Sequence, residues 1–164
     1  MFLYIAVFCA FLGFGYYFWL GYKHRKTFFV NILNFCEHLN IEISFSKSTI
    51  RAIIDKYGAT YGRHFRTILL GYQKLLDEKQ DVTRDKIDLL LIRPKLKPSE
   101  RSTILDFLYD LGRHGVTEEK EKIASKRKQF DIFFSEASMA LKREASIYLK
   151  ISIILGIAAV VLML

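Results

Sequence analysis

The chain has very few of the residues that break helices. Two prolines, Pro94 and Pro98, and nine glycines occur among 164 residues, too few to turn a chain through many short strands. Sustained period-two alternation is missing as well, so sheet content near zero is expected. Cysteine is scarce: Cys9 lies in a hydrophobic run and Cys36 on an apolar helix face, where a free thiol packs as a small apolar group. Neither cysteine combines with His24, His38, His64 or His114 at a metal-ligand spacing. No H-E-x-x-H, nucleophile triad or Walker-type lysine loop can be read, and Gly13-x-Gly15 sits inside an apolar run with no strand before it. No catalytic, metal-binding or cofactor-binding residue is assigned, and the chain is read as a non-enzyme.

Charge is missing from both ends. The first charged side chain is Lys23 and the last is Lys150, so all 25 basic and all 17 acidic residues lie between two uncharged stretches. Residues 1–20 form a helix of about 30 Å at 1.5 Å per residue, enough to cross a hydrocarbon core. Tyr16, Tyr17, Trp19 and Tyr22 gather at its end, before Lys23, Arg25 and Lys26, in the order of an interfacial aromatic belt followed by a positive anchor. A cleaved signal peptide would carry its basic residues before the apolar run and small residues after it; here the order is reversed. Residues 147–164 form a second apolar stretch of about 27 Å, with Lys142, Arg143 and Lys150 at its edge and Gly156, Ala158 and Ala159 as a small-residue patch for helix contact. Both basic collars lie on the side of residues 21–146, which the positive-inside rule places in the cytoplasm. Of the net charge of +8, +5 belongs to the two collars and +3 to residues 27–141. A basic nucleic-acid binder using Lys95, Lys97, Arg101 and Lys126–Lys128 is the alternative, but the interior lacks the strong basic excess it calls for.

The middle reads as helices throughout. Phe28, Phe29, Ile32, Leu33, Phe35, Cys36 and Leu39 recur at three- and four-residue spacing, and Ser46 offers the next N-cap, before Ile50, Ile53, Ile54 and Tyr57. Gly58 is expected as a C′ stop. Further helices are expected over Thr60–Lys79, after Thr83, and from Pro98 through Leu111 to Gly112 or Gly115, with Arg93–Pro98 as linker. Thr117 is expected to cap the last helix, with Glu118 and Glu119 in its first turn. No Gly or Pro then intervenes before Gly156, so one helix of about 45 residues is expected, its inward stripe Ile123, Phe130, Phe134, Ala137, Leu141 and Tyr148. The fold class is all-α: an antiparallel bundle of about six helices flanked by two terminal transmembrane helices.

Three stretches carry a family resemblance. Glu42 leads through a helix–turn–helix to Tyr57-Gly58; Phe107-Leu-Tyr-Asp-Leu-Gly112 precedes Gly115-Val-Thr-Glu-Glu119; and Tyr148-Leu-Lys-Ile-Ser-Ile-Ile-Leu-Gly156 closes the chain. With the order of elements, these resemble the stage III sporulation protein AB family of endospore-forming bacteria, along essentially the whole chain. The resemblance implies a membrane platform subunit of the channel joining mother cell and forespore. It also implies a bundle similar to the cytoplasmic F-type platform domain of type II secretion and type IV pilus machines, which meets a hexameric secretion ATPase. Implied partners are that ATPase, other channel membrane subunits, membrane lipids and a second copy of the chain, without nucleic acid. Candidate partner contacts are Gly112, Arg113 and Glu119 at the bend before the long helix, with Lys126, Arg127 and Lys128 beyond it.

Overall fold

The computed structural model describes residues 2–45, 48–77, 82–92 and 96–162. Among them are six α-helices and no strand: α1 (Phe2–Phe45), α2 (Ile50–Tyr57), α3 (Arg63–Asp77), α4 (Arg84–Leu90), α5 (Pro98–Asp110) and α6 (Val116–Leu162), with a 3₁₀ turn at Gly58–Thr60. The all-α bundle with two long apolar end helices is thus as expected, and α6 at 47 residues matches the absence of breakers after Thr117. The chain falls into two compact units, residues 27–134 and the paired ends 1–26 with 135–164.

Residues 27–134 close around an aromatic core. Phe28, Phe29, Ile32, Phe35, Cys36 and Leu39 of α1 are all buried, because their spacing keeps them on one helix face. Phe35 is fully buried and meets three rings edge-on: Tyr61 at 6.1 Å, Phe65 at 5.9 Å and Phe107 at 6.5 Å. Phe107 continues the set to Phe130 of α6 at 5.3 Å. Such edge-to-face pairs add to plain area burial because a ring's positive edge meets its neighbour's negative face. From α3, Phe65, Ile68, Leu69 and Tyr72 enter the core, and from α5, Ile104, Phe107 and Leu108.

Helix ends differ from several expectations. Thr49 caps α2, its Oγ1 accepting from Ala52 N–H at 3.3 Å; Ser46 lies outside the described residues. Gly58 does not end α2 in a left-handed conformation: its φ is −57°, and the chain continues into the 3₁₀ turn. Helix α3 opens at Arg63, not Thr60, and is described to Asp77; the expected end at Lys79 lies outside the described residues. Thr83 does stand at the N-cap of α4, without a side-chain bond. The linker residues Arg93–Lys95 lie outside the described residues, and Lys97 precedes α5 with Pro98 in its first turn. A lysine has no acceptor, so only one half of a capping box is made there: Glu100 Oε2 accepts from Lys97 N–H at 2.8 Å. Thr117 is not the cap of α6. The helix opens at Val116, one residue earlier, with Glu119 N–H donating to Gly115 O at 2.8 Å.

In the unit of paired ends, α1 and α6 pack through small residues. A Cβ on Gly15 would sit 2.6 Å from Ser152 Oγ, and one on Gly156 would sit 2.9 Å from Phe8 Cδ2, so both glycines let the helices approach closely. Gly13, by contrast, faces open space, and Ala158 points outward while Gly156 is buried. Phe18 and Tyr22 stack on Tyr148 at 5.3 and 6.2 Å, but Tyr148 is 43% exposed and does not belong to the inward stripe. Ile123, Phe130 and Ala137 do; Phe134 and Leu141 are half-buried. Both helices are long and apolar enough to cross a membrane, and only 6% and 17% of their apolar windows are buried within the chain. Those figures are far below what a soluble protein's core helix shows.

Cys36 supplies a direct check on the core. It is buried, and burial pushes its thiol up to about 12, opposed by the Arg127 charge. At neutral pH almost no thiolate forms, and the thiolate is the reactive species. We expect Cys36 in the folded chain to resist iodoacetamide at pH 8, and to label at least a hundredfold faster once denatured. Mass spectrometry of labelled peptides reads both rates; fast labelling of the native protein would contradict this core.

Candidate functional site

The bend joining α5 to α6 is where tertiary structure concentrates polar groups around a space. Leu111 N–H still bonds Phe107 O at 3.2 Å, and Arg113 N–H bonds Asp110 O at 3.3 Å. Between them Gly112 takes φ +80°, a left-handed conformation that glycine adopts without steric cost. Its N–H then points at the first turn of α6 and donates to Glu119 Oε1 at 2.9 Å. One carboxylate oxygen thus locks the bend. Glu119 is buried, and its other oxygen, Oε2, has no hydrogen-bond partner.

Next to this bend lies a cleft of about 130 Å³, walled by Phe107, Leu111 and Ile123 and edged by Asp110, Glu119, Lys122, Ser125 and Lys126. Lys122 Nζ is drawn to His114 Nε2 at 2.6 Å and Glu118 Oε1 at 3.2 Å. Arg113 lies flat over the Tyr109 ring, its guanidinium carbon 4.0 Å from the centroid, and donates to Val82 O at 3.2 Å. Arg84 stands 5.0 Å from the same ring. Burial raises the nearby Tyr72 phenol above its ordinary range, with Arg113 opposing and Glu119 reinforcing the shift.

Four of the six residues singled out in the sequence therefore meet at one place: Gly112 and Glu119 are bonded to each other, Arg113 flanks them, and Lys126 edges the cleft. Arg127 and Lys128 do not join them. Successive helix residues point about 100° apart, so Arg127 turns toward Glu37 of α1, 3.7 Å away with both side chains half exposed. An ion pair so exposed is worth ~0–1 kcal/mol. Lys128 is exposed. Of the alternative basic set, Arg101 is engaged by Asp88 through Nε at 2.6 Å and Nη2 at 2.8 Å, and Lys95 lies outside the described residues.

The membrane-edge residues lie as follows. Lys23 Nζ stands 5.0 Å from the Trp19 ring centroid, and Arg25 pairs with Glu136 at 4.0 Å. Lys26 is half-buried, and Lys142, Arg143 and Lys150 are exposed.

One polar cluster had only Glu42 as a sequence signal. Glu42, 5% exposed, accepts from Lys56 Nζ at 2.6 Å, Tyr57 OH at 2.8 Å and Ser48 Oγ at 3.2 Å. The Lys56 ammonium is held above its ordinary range chiefly by that bond. Tyr57 stacks on His38 at 4.0 Å, and His38 Nδ1 lies 2.6 Å from Tyr61 OH. These groups are bonded to one another, so the cluster ties α2 and the 3₁₀ turn to α1 rather than opening a site. An acidic residue four turns into an apolar helix face was the signal that could have found it.

Fold and site together define an all-α protein with two helices long enough to cross a membrane and a polar bend where α5 meets α6. The chain belongs to the stage III sporulation protein AB family, whose family model matches residues 1–164. No curated protein and no solved structure matches it.

Proposed function

We propose that this chain is a membrane platform subunit of the channel between mother cell and forespore, and that it docks a cytoplasmic secretion-type ATPase. Family membership supports a role at stage III of sporulation. The observation that carries the finer reading is the partition of charge. Every charged side chain lies between Lys23 and Lys150, and both basic collars lie on the inner side of their apolar stretches. That arrangement favours two spans with residues 21–146 on the cytoplasmic, mother-cell side, where a cytosolic motor reaches them. An adaptor also fits a chain whose polar clusters serve to join helices and whose cleft at the α5–α6 bend has the size of a side chain. The F-type platform domain that the family resemblance implies supplies the ATPase by analogy alone. Other channel subunits, lipids and a second copy of the chain complete the proposed contacts.

The test combines topology and capture. Reporter fusions after Lys26 and before Lys142 are expected to report the cytoplasmic side, and the detergent-solubilised full chain is expected to retain the purified ATPase encoded in the same operon. Reporters active on the far side of the membrane would remove the reading, because a cytosolic motor could then not reach the bundle.

A further inference from the structure

We propose that the cleft at the α5–α6 bend receives one basic side chain, an arginine or lysine, presented by a partner protein, with Glu119 reading its charge. The inference rests on the reading of this chain as a docking subunit and adds what the dock recognises. Size comes first: about 130 Å³ holds one side chain, whereas small-molecule pockets span roughly 300–1,000 Å³. Lining comes second. Phe107, Leu111 and Ile123 offer apolar walls for a methylene stem, and Asp110 and Glu119 stand in the same lining, with Lys122 and Lys126.

The decisive feature is the half-used carboxylate. Glu119 is 5% exposed, its Oε1 is taken by Gly112 N–H, and its Oε2 has no donor. Buried polar atoms are normally paired, and a charged donor satisfies a buried carboxylate more strongly than a neutral one. Among the described residues, the neighbouring cations do not fill the role. Lys122 is held by His114 and Glu118, and Lys126 stands two turns along α6 from Glu119, about 10 Å in rise. Because Oε2 is itself covered, a donor reaches it only as the rim yields. Asp110 and Glu119 are balanced at the rim by Lys122 and Lys126, so the choice of a cation rests on the unpaired Oε2 and not on the net charge of the cleft.

The full chain in nanodiscs, carrying labelled isoleucine methyls, is titrated with N-acetyl-arginine amide and with its uncharged isostere N-acetyl-citrulline amide. The Ile123 methyl is expected to shift saturably with arginine and at least tenfold more weakly with citrulline. Glu119→Gln should abolish that preference; Asp110→Asn, which leaves the Gly112 bond intact, should weaken it severalfold at unchanged melting temperature. Equal response to both amides, or full arginine preference in Glu119→Gln, would overturn the proposal. Arginine binding without capture of the ATPase removes the platform reading and keeps the cleft. Capture of the ATPase at full strength with no arginine response at Ile123 does the reverse.

Discussion

Replacing Phe35 with alanine is expected to cost about 3–5 kcal/mol of stability, the range for emptying a fully buried aromatic site. Phe35 is wholly buried, and its ring is the common neighbour of Tyr61, Phe65 and Phe107. Phe65 and Phe107 sit on α3 and α5 and Tyr61 just after the 3₁₀ turn, and each is also held by other buried neighbours, so none moves inward independently. A void therefore persists, and its lining loses dispersion contacts with nothing to replace them. Amide hydrogen exchange of the full chain in detergent reads the loss locally. Protection in α3 and α5 should fall by more than a hundredfold, while the apolar ends, which share none of these contacts, keep theirs. A fall smaller than tenfold would mean the aromatic set is not the keystone of residues 27–134.

The second large effect is expected from Gly112→Val. At φ +80° a β-branched residue is strained by ~1–2 kcal/mol. Independently, its Cβ would run into Cδ1 at the end of the half-exposed Ile50 side chain, which must turn aside at about 0.5–1.5 kcal/mol, so the sum is roughly 1.5–3.5 kcal/mol. The two causes separate in a double-mutant cycle. Ile50→Ala should relieve the clash and leave the backbone strain, so the pair Gly112→Val with Ile50→Ala should be less destabilised than the sum of the single changes. Thermal unfolding of the full chain followed by circular dichroism gives the three differences. Strict additivity would show that Ile50 does not press on this bend. The same substitution displaces the N–H that holds Glu119 Oε1, so partner capture should weaken together with stability.

Ser46, Gly58, Thr117 and Gly112 show where a linear reading reaches its limit. Ser46 was a reasonable cap by residue type, yet Thr49 is the residue whose hydroxyl reaches a free N–H of α2. Gly58 has the composition of a helix stop, but the chain continues there with φ −57° into a 3₁₀ turn. Thr117 lost the capping place because α6 begins one residue earlier, at Val116. After α5, Gly112 and Gly115 are equivalent candidates for the bend by residue type; Gly112 takes it, at φ +80° with Glu119 accepting its N–H. Propensity narrows each choice to a few residues, and contacts made elsewhere in the chain select among them.

Residue order alone decided that this protein is helical, that its two ends are apolar, and that its charge lies between them. Those properties depend on local composition and on a 3.6-residue period, which need no partner segment to be read. Only tertiary structure decided that Glu119 closes on Gly112, that Lys126 edges the cleft while Arg127 turns to Glu37, and that Glu42 gathers Lys56, Tyr57 and Ser48. Each of these depends on how far one helix is rotated against another. Packed rings such as Phe35 and Phe107 set that rotation across more than seventy residues of chain.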